Sequence, residues 1–377
     1  MHLSAGRPTL AQIDGGALCR NLAALRACLR PQVQLLAVVK ADAYGHGAGP
    51  VAKLFERAGA DAFGVATVEE GAELRAAGIR RPILVLPGAR AAQVDEAVAH
   101  ELSVAVVDRP MLGDLRAALR GRSLAIHVKV DTGMGRLGVT PEELPPLLEE
   151  LRHAREIRIQ GLFSHFANAD LGNTEFVSYQ LRLFREAIEM ARRAGIQPPS
   201  VHIANSAATV AVPESHFSLV RPGIALYGIA PTAECPIALE PAMRVVTRIV
   251  QIKTVPAERP LSYGQTFVTR RPSRIATIPI GYADGYDRRL SNRAEVLVKG
   301  RRAPVVGRVC MDLTLIDVTD VPGVTADDEV VLWGRQENAT IGVEEVGAWQ
   351  DSIAYEVLTR LGKRVPRVLE NEAAGRC

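Results

Sequence analysis

Long apolar runs are missing from this sequence: the purely apolar stretches are as short as residues 35–39, whereas a membrane span needs roughly 20 such residues. Residues 1–20 lack the apolar core of a signal peptide, so the expected compartment is the cytoplasm, with no membrane partner. One-signed charge is missing as well. Lys and Arg total 45 against 42 for Asp and Glu, and the net charge of +3 is spread without a basic stripe, which excludes nucleic acid as an expected partner. Cysteine is sparse and unpatterned. Cys19, Cys28, Cys235, Cys310 and Cys377 are odd in number and without metal-ligand spacing, so no metal or redox site is expected and the thiols are expected reduced. No internal repeat or low-complexity tract stands out.

What the 377 residues do hold is the balance of a folded chain, 47% apolar and 23% charged, with length enough for two hydrophobic cores. From residue 34 to residue 221, short apolar runs alternate with amphipathic stretches, the grammar of parallel strands joined by crossover helices. Strands are expected near residues 35–39, 62–66, 83–86, 104–107, 125–130, 158–163, 200–203 and 218–221, with helical patterns such as 51–57 and 177–193 between them. Eight units within about 190 residues favour a closed (β/α)8 barrel over its competitor, a doubly wound open sheet. Beyond Pro236 the runs turn to β type, at 245–255, 274–280, 295–298, 313–318 and 329–332, broken by Gly, Pro and Asp. The expected fold class is therefore α/β: an N-terminal TIM-type barrel over residues 10–235, then a mainly β C-terminal domain over 236–377 with 1–9. The extended segment 9–13 is placed to pair with that second domain.

Barrel enzymes build their sites from the loops that follow the strands, so the residues after each expected strand carry the information. The first strand runs into Lys40-Ala41-Asp42-Ala43-Tyr44-Gly45-His46-Gly47, and the fifth carries Lys129 and runs into Asp131-Thr132-Gly133-Met134-Gly135-Arg136. The sixth ends at Ser164-His165, the seventh at Ala204-Asn205-Ser206, and the eighth at Arg221-Pro222-Gly223-Ile224. Strands two to four end blandly. Ser206 and Gly223-Ile224 fall where barrels commonly bind phosphate through backbone N–H groups and hydroxyls, although an ordinary polar loop reads equally well there.

Taken with Ser262-Tyr263-Gly264, Gly281-Tyr282-Ala283-Asp284-Gly285-Tyr286, Gly307-Arg308-Val309-Cys310-Met311-Asp312 and Ala354-Tyr355-Glu356, these segments resemble the alanine racemase family of fold-type III pyridoxal-phosphate enzymes. The resemblance runs through essentially the whole chain. It implies racemisation of L-alanine and D-alanine with pyridoxal 5'-phosphate as cofactor, supplying D-alanine for peptidoglycan, in a homodimer with shared active sites. Lys40 would hold the cofactor as a Schiff base and serve as base on one face, since only an amine makes that linkage. Tyr263 of the opposite subunit would serve on the other face. A phenol has a reference pKa of about 10, so its surroundings must favour the phenolate, and His165 and Arg221 are the candidates for that.

The same resemblance assigns Arg221 to the pyridine nitrogen, where an always-charged guanidinium discourages protonation and weakens the electron sink. Tyr44, Ser206, Gly223, Ile224 and Tyr355 form the implied phosphate set, and Asn205 joins them in cofactor binding. Arg136 would contact the cofactor's phenolic oxygen and the substrate carboxylate, His165 would join in cofactor binding, and the backbone N–H of Met311 would take that carboxylate from the partner subunit, with Asp312 ordering the Met311 loop. Lys129 falls where family members carry an N-carboxylated lysine, a modification that needs a neutral amine. Tyr282, Tyr286, Asp170, Arg288 and Arg308 resemble an entrance corridor for small substrates. His46 is read as a support of the Lys40 loop, and Asp42 as a variation without mechanistic consequence.

Three other readings compete. A decarboxylase of basic amino acids would need a glycine triplet for phosphate and a cysteine-bearing substrate loop, and neither is present. A racemase of broader specificity shares the same motifs. A barrel that carries pyridoxal phosphate without turnover would have no use for the second domain with Tyr263 and Met311. Residue by residue, the plain alternatives are a surface lysine at 40, a strand aromatic at 263, a structural ion pair at 221, a core side chain at 311 and an ion-paired Lys129.

Overall fold

The computed structural model describes residues 7–172 and 174–371. The outer ends of the expected second domain, residues 1–6 and 372–377 with Cys377, lie outside the described residues. Contacts divide the chain into two units, residues 16–240 and residues 7–15 with 241–371.

The chain's first strand, β1 (Leu10–Asp14), belongs to the second of these units. The barrel follows with β2 (Gln34–Val38), β3 (Ala62–Val65), β4 (Ile83–Val85), β5 (Leu102–Val106), β6 (Leu124–Lys129), β7 (Ile157–Phe163), β8 (Ser200–His202) and β9 (Leu219–Val220). All pair in parallel in the order β8-β7-β6-β5-β4-β3-β2-β9, so β2 lies between β3 and β9. Between β8 and β9 the ring shuts through Ser218 N–H to Val201 O (3.2 Å) and Arg221 N–H to Ala204 O (3.0 Å). The β2–β9 pairing rules out the open doubly wound sheet, whose first and last strands do not meet in this way. The eight expected strands all appear, within one or two residues of their expected bounds for most.

These strands form because apolar runs must be covered on both faces in a parallel sheet; β3, β4 and β6 are buried at every position. The helix Thr174–Arg193 turns Val177, Gln180, Leu181, Phe184, Ala187 and Ala191 inward, the spacing of an amphipathic helix. Leu181 and Phe184 each contribute roughly 1.5–3 kcal/mol by that burial. One glycine has a steric reason. The register shifts between Ile126 and His127 against β7, and a Cβ on Gly161 would lie 2.0 Å from His127 Nδ1, so the imidazole occupies space that no other residue type leaves free.

In the second unit β1 is joined by β10 (Met243–Arg248), β11 (Gln251–Val255), β12 (Pro260–Leu261), β13 (Phe267–Val268), β14 (Ser273–Ile278), β15 (Glu295–Val298), β16 (Arg301–Pro304), β17 (Thr314–Asp317), β18 (Glu329–Gln336), β19 (Ala339–Ile341) and β20 (Arg367–Glu370). One sheet runs β16-β15-β18-β10-β1-β20, another β11-β14-β17, and β12 and β13 form a hairpin. Residues 10–15, expected to open the barrel, lie with this unit because β1 spends its hydrogen bonds on β10 and β20, with Leu10 opposite Val246 and Ala11 opposite Arg367. The pairing expected for segment 9–13 is therefore observed. Thr9 adds a buried bond to Thr247 (2.8 Å).

Cys28, Cys235 and Cys310 are free. Among the described residues no helix is long and apolar enough to cross a membrane.

Candidate active site

Lys40 stands directly after β2, and the chain that follows it turns the unusual way. Ala41, Asp42, Ala43 and Tyr44 all have φ between +52° and +54°, a full left-handed turn without a glycine. L-residues adopt that turn at roughly 1–2 kcal/mol each, so the surroundings must hold it. They do so with named bonds. Ala41 N–H donates to Glu70 Oε1 (2.7 Å), Ala43 N–H to Val39 O (2.8 Å), and Gly47 N–H to Asp42 O (2.9 Å). Asp42, expected to be without consequence, accepts the Ala48 N–H on its carboxylate at 2.7 Å and so joins the turn to the helix Ala48–Arg57. His46 supports the loop as expected: its Nδ1 lies 3.1 Å from Ala43 O and 3.0 Å from Tyr44 O.

Tyr44 reaches the loop after β9. A Cβ on Gly223 would lie 2.4 Å from the Tyr44 hydroxyl, so glycine alone lets the phenol approach that backbone. Ser206 Oγ accepts from Gly223 N–H (2.8 Å) and Ala225 N–H (3.3 Å), and Ile224 opens the buried turn Ile224–Tyr227. Tyr44, Ser206, Gly223 and Ile224 are thus brought together. Asn205 is committed through Oδ1 to capping the helix Ser206–Ala211, accepting from Ala208 N–H at 3.0 Å.

Across the mouth the loop from Asp131 to Arg136 wraps around a single carboxylate. Asp131 accepts from the N–H groups of Gly133 (2.9 Å), Met134 (2.8 Å) and Arg136 (3.2 Å), which places Arg136 where its charge acts on Lys40, Lys129 and His165. Burial first and then Arg136 hold the Lys40 amine below the usual lysine range. Lys129 is pushed down to about 8 by burial, with Arg221 and Arg136 adding to it. Among the described residues Lys129 makes no ion pair; its Nζ lies over the Phe163 ring, 5.5 Å from the centroid. A neutral fraction at neutral pH is what carbamate formation requires.

The sign of the stability effect follows from that depression. Between about 8 and the usual lysine value of 10.5 the unfolded chain holds a proton on Lys129 that the folded chain does not, so stability rises with pH across this window. The cofactor-free protein in carbonate-free buffer is expected to melt higher as pH is raised from 8 towards 10, and Lys129→Gln to flatten the rise. Superimposable melting curves for the two proteins would refute the depressed amine.

Arg221 is buried, and its guanidinium meets only neutral acceptors. It donates to His202 Nδ1 (2.8 Å), Ser164 O (2.8 Å), His165 Nδ1 (3.1 Å) and Ile203 O (3.3 Å). No carboxylate pairs with it among the described residues, which disposes of the plain ion-pair reading. Burial alone pulls its pKa down to about 9. A guanidinium can only donate, so both imidazoles must accept at Nδ1 and carry their proton on Nε2. His202 Nε2 therefore donates to His127 Nδ1 at 2.9 Å. Burial and the neighbouring cations hold His165 and His202 well below the usual histidine range and push His127 down to about 3, so the whole chain of rings is neutral.

Sequence reasoning did not single out His127, His202, Glu70 or Gln180. Gln180 is fully buried; it donates to His165 O (3.0 Å) and accepts from Ala167 N–H (2.9 Å), bracing the loop that carries His165. A polar residue on the inward stripe of an otherwise apolar helix face was the available signal. Thr67-x-x-Glu70 before an apolar residue was the signal for Glu70.

The second unit gathers the remaining candidates at its surface. Tyr263 is 71% exposed and Met311 52% exposed. Ser262 ties their two loops together, its Oγ donating to Arg308 O at 2.8 Å and lying 3.6 Å from Cys310 Sγ. Tyr282 N–H and Ala283 N–H donate to Cys310 O and Met311 O, both at 3.0 Å, so Tyr282 belongs to the same cluster. Asp312 pairs with Arg364 at 2.7 Å, which supports its expected part in ordering that loop. Of the expected entrance residues, Tyr282 and Arg288 line a cavity of about 700 Å³ with Arg360, and Arg308 is not among its lining. Tyr286 departs from expectation: it is 2% exposed, and its hydroxyl has no hydrogen-bond partner among the described residues. Tyr355 lies half-exposed on the helix Ala354–Arg360, and Asp170 is exposed in the barrel unit before the helix Thr174–Arg193.

Residues 13–231 match the family model "Alanine racemase, N-terminal domain" and residues 242–369 match "Alanine racemase, C-terminal domain". The chain is 43% identical to the alanine racemase of Symbiobacterium thermophilum, covering 99% of this chain and 100% of that one. It is 42% identical to alanine racemase 2 of Caldanaerobacter subterraneus subsp. tengcongensis, covering 96% and 95%. Among solved structures, the alanine racemase of D-cycloserine-producing Streptomyces lavendulae superposes with a TM-score of 0.91 at 39% identity, over 98% of both chains. That of Bacillus anthracis with bound L-Ala-P superposes with a TM-score of 0.93 at 36% identity, over 98% of this chain and 96% of that one.

Proposed function

The chain belongs to the alanine racemase family, and on that premise we propose that it interconverts L-alanine and D-alanine through two proton carriers, Lys40 and Tyr263. The product would supply D-alanine for peptidoglycan, and the working form would be a cytoplasmic homodimer with shared sites. Pyridoxal 5'-phosphate is the proposed cofactor. The donor set fits it: Arg136 and Arg221 lower the basicity of both Lys40 and Lys129 at one mouth, a field that favours a ligand with several negative charges. Tyr44, Ser206 and the backbone at Gly223 and Ile224 would hold its phosphate, Arg221 its ring nitrogen, and Asn205 and Tyr355 would complete the set.

When bound, the cofactor supplies the electron withdrawal that loosens the α-hydrogen of an amino acid joined to it. The chain's own residues handle the proton. Lys40, with its amine held below the usual range, has a larger neutral fraction to accept a proton on one face. Tyr263 would return one on the other face from the partner subunit, and its 71% exposure in the single chain supports a role across an interface. Arg136 and Met311 N–H would orient the carboxylate, while Tyr282, Asp170, Arg288 and Arg308 would restrict the approach. Lys129, as a carbamate, would hold Arg136.

The observation that carries the racemase reading is the company Arg221 keeps. Neutral imidazoles and carbonyls leave its charge uncompensated, so a proton on a ring nitrogen held by Arg221 would be opposed and the cofactor would supply a weaker electron sink. Return of the proton to the α-carbon would thereby be favoured over transamination. Arg221→Glu is expected to raise transamination of alanine by about tenfold or more relative to racemisation, measured as pyruvate formed per inversion; an unchanged ratio would defeat the argument. The reading as a whole is tested by incubating the enzyme with each alanine enantiomer in deuterated water. Deuterium at the α-carbon with loss of optical rotation is expected, and a protein that binds the cofactor yet leaves the α-hydrogen in place would be a carrier instead.

A further inference from the structure

Glu70 is one residue at the barrel mouth that none of the roles above uses. Its two carboxylate oxygens accept from backbone N–H groups of two different loops, Oε1 from Ala41 (2.7 Å) after β2 and Oε2 from Ala66 (2.7 Å) after β3. β2 and β3 are paired neighbours, so one side chain bridges adjacent loops at the same end of the barrel. Capping its own helix is not what occupies this carboxylate. Thr67 performs that task for the helix Val68–Ala76, its Oγ accepting Glu70 N–H at 3.1 Å. Ala41 is the residue after Lys40 and the first of the four left-handed residues, where no helical carbonyl precedes it to accept its N–H.

We propose that Glu70 is a positioning residue: its carboxylate clamps the Ala41 N–H, holds the left-handed turn in place, and so aims the Lys40 amine. The inference rests on the reading of Lys40 as the cofactor-bearing base. Charge acts in the same direction as geometry. Lys40 is faced by Arg136 from the loop after β6, Lys129 from the end of β6, His165 after β7 and Arg221 after β9, and Glu70 alone among the groups acting on it raises its basicity.

The test compares Glu70→Ala, Glu70→Gln and Thr67→Ala as cofactor-loaded enzymes, reading kcat, KM, melting temperature and the pH midpoint of the cofactor's visible absorbance without substrate. Thr67→Ala removes the helix cap and leaves the clamp, so a lower melting temperature with the parent's kcat and midpoint is expected. Glu70→Ala is expected to lose about 30- to 100-fold in kcat, the scale of a small misplacement of a reacting group, with KM changed by less than about threefold. Its absorbance midpoint is expected to fall by about 0.5 to 1 pH unit, because a negative charge near the amine has gone. Glu70→Gln keeps one acceptor oxygen without the charge, so it should show the full midpoint shift and a smaller loss of kcat; it carries the same readouts should the alanine variant fail to fold. The clamp is overturned if Glu70→Ala and Glu70→Gln lose no more kcat than Thr67→Ala, or if the midpoint stays in place. A Lys40→Ala enzyme that kept both visible absorbance and racemisation would instead overturn the assignment of Lys40, whatever Glu70 does.

Discussion

Replacement of Lys40 by alanine is expected to lower racemisation by more than about 10⁴-fold, because it removes at once the amine that would carry the cofactor and a proton carrier, either of which alone is a large loss. The fold is not expected to suffer. Lys40 lies with Arg136, Lys129 and Arg221, and Arg136 and Arg221 lower its basicity while it lowers that of Lys129, so its removal relieves repulsion and the melting temperature of the cofactor-free protein should hold or rise slightly. The turn after it is held by backbone bonds to Glu70, Val39 and Asp42, none of which needs the lysine side chain. A small primary amine added to the buffer should restore part of the lost proton transfer. Retention of the visible absorbance by Lys40→Ala would sink the assignment, and loss of activity with a collapse of melting temperature would reduce it to a structural role.

The second large effect concerns Tyr263. Tyr263→Phe keeps the ring and deletes one hydroxyl, so the cofactor should bind with its usual absorbance while racemisation falls by about 10²- to 10⁴-fold, the range for loss of a general acid or base. Proton exchange at the face served by Lys40 should persist for one enantiomer and vanish for the other. Because the proposal places Tyr263 in the partner's site, two inactive variants have to complement. When Lys40→Ala and Tyr263→Phe homodimers are dissociated and remixed in equal amounts, half of the dimers are mixed, and each mixed dimer regains one intact site out of two. About a quarter of the parent activity is therefore expected. If both residues acted within one chain, mixing would restore nothing, and that result would end the shared-site proposal.

How much of this was readable beforehand depended on what each residue's neighbours in sequence disclose. The barrel strands were legible because short runs such as residues 83–85 are buried on both faces, which leaves an unbroken apolar signature between polar helices. Residues 10–15 were assigned to the wrong unit because a strand's partner is a property of the fold, and β1 finds its partners at residues 243–246 and 367–370. The left-handed turn was invisible: Ala-Asp-Ala-Tyr has the composition of an ordinary helix start, and the bonds that hold the opposite hand, to Glu70, Val39 and Asp42, are set by the fold. His127 and His202 were passed over for a related reason, since a single histidine at an inward position of an apolar strand looks the same whether it packs or conducts a chain of hydrogen bonds. Tyr286 shows the reverse error: the resemblance placed it with Tyr282 at the entrance, yet in that loop Asp284 and Tyr286 are buried while Tyr282 is exposed.

The neighbour relation of β2 and β9 also bears on how the protein is made. Lys40 leaves the ribosome early and Arg221 late, and the two ends of the barrel's chain become adjacent only when Gln34 and Leu219 come into register. Such long-separation pairings form slowly, because the entropy of the intervening chain must be overcome before any contact rewards it. A nascent chain therefore cannot bring Lys40 and Arg221 to one mouth until nearly the entire barrel has been translated, so the cation cluster is assembled only as the cylinder seals.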